Sequence, residues 1–492
     1  MTSTSIILAI DLGTQSLRVS ALTTAGERLW AWAHPVESVI DGHLFEQDPL
    51  QWAGFLETAL AQAQLAGIRP DCIAVAAPLA GYVAMDENGQ PLTQAITYAD
   101  RRSAPYIDQV EAAVARRAQS NPNGLRAYVP DPLPQLLRLR GECPAVYQNT
   151  KKFLDATGWL NYYLTGESTL NSYTALRLYT DALRADLDVD ASMFGRPVSI
   201  GETIGVLAPR LAARFNMRPV PVIAATFDSK CAYIASGIRK PGQAIDISGT
   251  VTSFGVLTES PFSDGQKRIY RVPYGEGAWL ARGSTASSGG ILEWARTQWL
   301  QTDFAALDAD AVETGPGADG LIFLPYLAGE RSPLWNPHAR GALLGMSLNT
   351  SRASVARAIY EGLAFAVGHI VSVMQECGIE VDDIRLAGGL SRNDTLSQIK
   401  ADVLGKPLLR FRDAELTTLG LAVIASVALG AWPDHASASQ AFNTIEKRFE
   451  PNMADHRIHA LNFKRYCAYV AALEPTFIPG APADSAAGGV MR

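Results

Sequence analysis

Cysteine is scarce in this chain, with five among 492 residues, at positions 72, 143, 231, 377 and 467. The number is odd and no pair has CxxC spacing. This argues against a disulfide framework or a cysteine-held metal and predicts reduced, mostly buried thiols in a cytosolic protein. An excess of positive charge is missing too: 42 Lys and Arg against 49 Asp and Glu give a net charge of −7, which argues against a nucleic-acid partner. No run reaches the roughly 18 apolar residues of a membrane span. Residues 1–5 are polar, without a basic stretch leading into an apolar one, so no signal peptide is expected. What the chain does have is core, at 48% hydrophobic and 18% charged residues. Its length exceeds the single-domain range, so two large domains are the default. Residues 480–492, small and polar, are expected to form a disordered tail.

The most informative segment is Ile7-Leu-Ala-Ile-Asp11-Leu-Gly-Thr14-Gln-Ser16, an apolar run ending in a carboxylate and a glycine-threonine turn. The alternating run Leu17–Leu22 behind it predicts a returning strand, and hence a hairpin. The turn offers the Asp11 carboxylate, the backbone around Gly13, Thr14 and Gln15, and the hydroxyls of Thr14 and Ser16. A carboxylate suits a hydrated cation, while amides and hydroxyls suit a terminal phosphate. Taken alone, an ordinary turn reads the same way. A second copy changes the weight: Ala244-Ile-Asp-Ile-Ser248-Gly-Thr250-Val-Thr-Ser-Phe-Gly-Val256 repeats strand, Gly249-Thr250 turn and strand. Two phosphate-gripping hairpins, one per half, imply a duplicated α/β architecture with nucleotide between the halves, the design of the actin-like ATPase fold. Helical stretches at 48–66 and 352–377 lead into short apolar strands, Cys72–Ala76 and Ile384–Ala387. The expected domains are 1–243 and 244–479.

Further glycine clusters fall where a nucleotide would need them. Asp383–Ala387 reads as a strand ending in Gly388-Gly389, with a helix starting near Asn393. Paired glycines admit a flat ring close to the backbone, and Asn393 can bond an adenine edge or the ribose; a strand–helix turn packed for its own sake is the alternative. Trp279–Gly290 reads as a third glycine-rich turn, whose Gly289 opens a helix that could face a phosphate or the ribose. A plain flexible connection fits that stretch equally well.

Taken together, the motifs resemble the FGGY carbohydrate kinases. Pro325-Tyr-Leu-Ala-Gly-Glu-Arg-Ser-Pro333, Gly341–Gly345, Leu386–Gly389, Gln398–Pro407 and Glu415–Gly420 follow the order and spacing of that family's ATP-binding domain. The first hairpin, Tyr98–Arg102 and Trp159–Glu167 match its sugar-binding domain, so the likeness spans residues 6 to about 475. Two places depart from the pattern, Pro134-Gln135-Leu-Leu-Arg138 and Ser354, and neither is expected to matter to the chemistry.

The resemblance implies two actin-like domains and transfer of the ATP γ-phosphoryl group to a sugar hydroxyl, in a style closest to the xylulokinases. In Val222-Ile-Ala-Ala-Thr-Phe-Asp228, the aspartate occupies the family's place for the group that takes the hydroxyl proton; read from the residues alone it is equally a helix cap. Asp11 is then expected to hold Mg²⁺ through water. The family implies ATP, Mg²⁺ and a small sugar as ligands and a homodimer as one assembly; the cysteines, the charge and the lack of a long apolar run point to a cytoplasmic location with no nucleic-acid or membrane partner. The sugar itself stays open. Xylulokinases carry Gln-Met-His-Gly where this chain has Pro78-Leu79-Ala80-Gly81, a loss of polar partners on one wall of the pocket. Leu79, Ala80 and Asp100 are the expected sugar contacts beside Asp228. D-Xylulose, another ketopentose such as ribulose, gluconate and erythritol all remain as acceptors. Outside the sugar kinases stand an actin-like ATPase and a catalytically silent sugar-binding regulator.

Overall fold

The computed structural model describes residues 4–79, 81–116, 127–178, 180–275 and 277–478. The chain forms two units, Met1–Gly237 with Glu415–Asn443, and Ile238–Ala414 with Thr444–Arg492. The expected division into 1–243 and 244–479 therefore needs a correction, because residues 415–443 return to the first unit. The cause is local packing. The Leu416–Ala428 helix lies on the sheet of the first unit and against the Asp228–Ala235 helix. Its Gly420 comes so close that a Cβ there would sit 2.0 Å from the Cys231 carbonyl oxygen. The tail at 480–492 lies outside the described residues.

The first unit is built on a six-stranded sheet. Its strands are β1 (Ile6–Leu12), β2 (Ser16–Thr23), β3 (Arg28–Pro35), β4 (Cys72–Ala76), β5 (Thr203–Val206) and β6 (Pro221–Ile223), in the order β5-β6-β4-β1-β2-β3. β1 is almost wholly buried and runs antiparallel to β2, with Asp11 opposite Arg18, and parallel to β4, with Asp11 opposite Ala76. β6 adds to β4 in parallel. The Pro49–Leu65 helix is started by the Asp48 side chain, which accepts from the Leu50 N–H, and by proline at its first position. It buries Trp52, Leu56 and Leu60 against Leu8, Ile10 and Val75. A five-stranded sheet beside it contains Tyr82–Met85 and Lys152–Asp155.

The second unit repeats the plan. Its strands are β7 (Gln243–Ser248), β8 (Thr252–Thr258), β9 (Tyr270–Gly275), β10 (Ala278–Ser284), β11 (Asp383–Ala387), β12 (Leu408–Phe411) and β13 (Ile445–Phe449), ordered β9-β10-β8-β7-β11-β12-β13. As in the first unit, the leading hairpin strand is antiparallel to its partner β8 and parallel to the strand that follows the long helix, with Ile247 opposite Ala387. That shared pairing is the duplication expected from the two hairpins. The long helix, Arg352–Glu376, is apolar and long enough to cross a membrane, yet 83% of its apolar window is buried inside the protein. The reading of 279–290 as one glycine-rich turn is corrected: Ala278–Ser284 is strand β10, held between β8 and β9, and only 285–288 remains as a connection. Gly283 is compatible with a strand because its missing side chain makes room for Ile370, 2.5 Å from where a Cβ would be.

Candidate active site

In the first unit, the chemistry gathers at the carboxyl ends of β1, β4 and β6, the edge where open α/β sheets bind ligands. Asp11 closes β1, Ala77-Pro78 follows β4, and Asp228 opens the helix after β6. The N–H of Asp228 donates to the Ala77 carbonyl at 3.0 Å and so joins two of these ends. The cap of that helix is Phe227, and Asp228 sits in its first turn, accepting from the Ser229 N–H at 2.5 Å. A helix N-terminus favours an ionised carboxylate.

Asp11 is 3% exposed, and its Oδ1 is buried with no hydrogen-bond partner. Its nearest countercharge, the Arg18 guanidinium, stands 3.8 Å from Oδ2, and Arg18 is shared with Glu415 at 3.5 Å. Burial, and then the charge of Asp228, push the Asp11 carboxyl up to about 8, with Arg18 pulling the other way. An orphaned, buried carboxylate oxygen beside a second carboxylate is costly without a partner and suits a cation. Among the described residues no cluster of three or more His, Cys, Asp or Glu forms a metal cage, so a cation here would draw its other ligands from water or substrate oxygens. The turn after Asp11 is shaped by the Gly13 N–H, which donates to the Ser16 carbonyl at 2.8 Å, and by Gln47, whose amide donates to the Thr14 carbonyl at 2.8 Å. Thr14 is half-buried and Gln15 is exposed.

A narrow recess within the first unit adjoins this turn, between Leu12, Thr14, Gln47, Trp52, Pro78 and Tyr98, among others. Its walls are largely apolar. Gln47 is already committed, donating to Thr14 and Ser38 and accepting from the Trp52 indole. The expected sugar contacts separate here. Leu79 packs against the core around Tyr82 and Phe153, and Ala80 lies outside the described residues. Asp100 is fully buried, and both its oxygens are taken, by Arg102 and by the Phe45 and Arg102 N–H groups. In this arrangement it fixes its loop and offers no oxygen to a ligand.

In the second unit, the glycine clusters that lie far apart in sequence come together. The N–H groups of Ser288 and Gly289 donate to the carbonyls of Thr250 and Gly249, at 2.7 and 2.9 Å. A Cβ on Gly289 would sit 2.7 Å from the Gly249 oxygen. Gly388 has φ +79° and leaves room for the Ser248 carbonyl, only 2.4 Å from where its Cβ would be. Gly249 and Gly389 have nothing within 4 Å of such an atom, so this backbone is open to an approaching ligand. Asn393 behaves differently from its expected nucleotide contact. It caps the Asp394–Leu404 helix through its side-chain oxygen, and its amide donates to Asp308 at 2.7 Å.

Residues 6–235 match the N-terminal domain and residues 246–429 the C-terminal domain of the FGGY family of carbohydrate kinases. The chain belongs to that family. The kinase is 25% identical over 483 residues to a xylulose kinase of Staphylococcus epidermidis, covering 94% of this chain and 95% of that one. It is 29% identical over 400 residues to a glycerol kinase of Dechloromonas aromatica, covering 76% and 78%. Its fold matches that of a ligand-bound xylulose kinase from Lactobacillus acidophilus with a TM-score of 0.87 at 20% identity, over 96% of this chain and 99% of that one.

Three residues beside these features escape a reading of motifs. Arg18 is one polar position in an alternating strand, and only the register of β1 on β2 sets it opposite Asp11. Glu330 lies inside a motif but gives no sign of its role. Buried, with its carboxyl pushed up to about 7 by desolvation, it accepts from the Ala286 and Arg331 N–H groups and ties down the approach to Gly289. Lys400 looks like an ordinary helix-surface lysine, yet it is 2% exposed.

Proposed function

We propose that this kinase transfers the γ-phosphoryl group of Mg-ATP to a terminal hydroxyl of a ketose, with D-xylulose as the acceptor. The observation that carries the reading is the pair Asp228 and Asp11: one carboxylate in the first turn of a helix, and beside it another with a buried, unpartnered oxygen. Asp228 accepts the proton of the attacking hydroxyl as its oxygen bonds to phosphorus, and the bond to the β-phosphate breaks to release ADP. Asp11 holds Mg²⁺, which when bound neutralises charge on the β- and γ-phosphates. Thr14 and Gln15, on the turn that the Gly13–Ser16 hydrogen bond holds, take the terminal phosphate; Gly249, Thr250, Gly289, Gly388 and Gly389 offer close backbone to the rest of the nucleotide. The free state of all five cysteines supports a cytoplasmic location.

The apolar lining at Pro78, Trp52 and Tyr98 supports a second reading of the acceptor, one with fewer hydroxyls at the end it presents to this wall. ADP release with Mg-ATP, measured against a panel of ketopentoses, polyols, aldonic acids and glycerol, separates the two. The expected result is strong stimulation by D-xylulose. Silence on D-xylulose with a response to another acceptor transfers the specificity to the 78–81 loop, and ATP turnover without any acceptor removes the sugar-kinase reading.

A further inference from the structure

Beneath the hairpin turn of the second unit runs a buried polar chain with no part in the chemistry above. Lys400, on the Asp394–Leu404 helix, donates from Nζ to Asp246 Oδ2 at 2.6 Å and to Ser248 Oγ at 2.9 Å. Asp246 is wholly buried on β7, and Ser248, the last residue of that strand, is 2% exposed. The Ser248 hydroxyl also donates to Asp246 Oδ1 and shares a 2.8 Å hydrogen bond with Thr252, the first residue of β8. From there the Thr252 N–H donates to the Thr285 hydroxyl at 3.1 Å, and that hydroxyl donates to the Ser287 carbonyl at 3.1 Å. The chain thus links one helix, both ends of the hairpin turn and the segment leading into Gly289.

For stability alone this is a poor use of the space. Taking a lysine and an aspartate out of water is costly, and a charge-free pair of similar volume packs as well or better. What the apolar pair lacks is direction. The ammonium group fixes the Ser248 hydroxyl, Ser248 fixes Thr252, and between those two residues lie Gly249 and Thr250. The Ser248 carbonyl is in turn the surface that Gly388 closes on, 2.4 Å from the place of its absent Cβ. A buried network of this kind, in which Lys400, Asp246, Ser248 and Thr252 each have a partner, selects one arrangement of the backbone it supports.

We propose that Lys400 is a positioning residue for nucleotide binding, holding the Gly249–Thr250 turn in the geometry that receives phosphate. The inference rests on the reading that this turn takes the phosphates of ATP. The test compares the full-length wild type with the double variant Asp246→Leu/Lys400→Met, which leaves no buried charge unpaired. The double variant is expected to melt close to the wild type. Its KM for ATP and its Kd for ADP, the latter by titration calorimetry without sugar, should rise about tenfold, because small misplacements of binding groups are expensive. The KM for the sugar should stay within about twofold, since that site is untouched. A double variant that melts like the wild type and binds ADP as tightly overturns the inference. If the double variant does not fold, Ser248→Ala carries the same test. It keeps the ion pair and cuts its link to the turn, so ADP binding should weaken at a nearly unchanged melting temperature, and unchanged ADP affinity overturns the inference. A wild type that fails to bind ADP at all refutes the nucleotide reading itself, a result distinct from either variant's.

Discussion

Asp228→Asn is expected to lower kcat by about 10²–10⁴-fold while the KM values for sugar and Mg-ATP stay within about threefold. Asparagine keeps the shape and can still bond the sugar hydroxyl, but it cannot take up the proton. The substitution should leave the fold intact. The link from residue 228 to Ala77 runs through the backbone N–H, and the cap of the helix is Phe227. Melting curves of the two proteins should therefore nearly superimpose, which separates loss of the base from loss of structure. A variant with near-normal turnover on the true acceptor would show that some other group accepts the proton.

Asp11→Asn should separate stability from activity. Without metal, the Asp11 carboxyl is pushed from 3.8 up to about 8, chiefly by burial and then by Asp228. The folded protein therefore keeps a proton that the unfolded chain has released. That contribution to stability is complete below about pH 4 and is lost as the pH climbs through 8. The asparagine variant has no such slope. In the presence of a chelator, the wild type should lose melting temperature between pH 5 and pH 9 relative to the variant, which should be the more stable at the alkaline end. Kinase activity should move the other way, falling about a thousandfold, the equivalent of about 4 kcal/mol of lost charge stabilisation in the transition state. Parallel pH–melting curves for the two proteins would show that Asp11 is not held as a buried carboxyl with one unpartnered oxygen.

Much of the fold was legible because its signals are local. The apolar runs ending in Asp11 and Ser248 announce hairpins by period alone, and the Asp48 cap with Pro49 announces the helix behind the first of them. Pairing between distant segments was legible only through repetition: two similar hairpins implied two similar sheets. What escaped depends on contacts that no spacing encodes. The return of 415–443 to the first unit turns on the approach of Gly420 to Cys231. The strand at Ala278–Ser284 was hidden because Gly283, in isolation, reads as a turn residue. Asp100 and Asn393 illustrate the same limit at the site. Both are polar groups at suggestive positions, and both spend their hydrogen bonds on their own neighbours, Arg102 and Phe45 in one case, Leu396 and Asp308 in the other. Lys400 is the converse, a charge that the sequence gives every reason to place in water and that the fold buries on Asp246.

Transfer of phosphate from ATP to a sugar oxygen can be followed by ³¹P NMR of the reaction with D-xylulose and Mg-ATP. One new phosphomonoester resonance is expected to grow in step with ADP, mole for mole, and to be absent when Asp228 is asparagine. ADP accompanied by inorganic phosphate alone, with no ester formed from D-xylulose or any other acceptor in the panel, would contradict it and leave an ATPase in place of a sugar kinase.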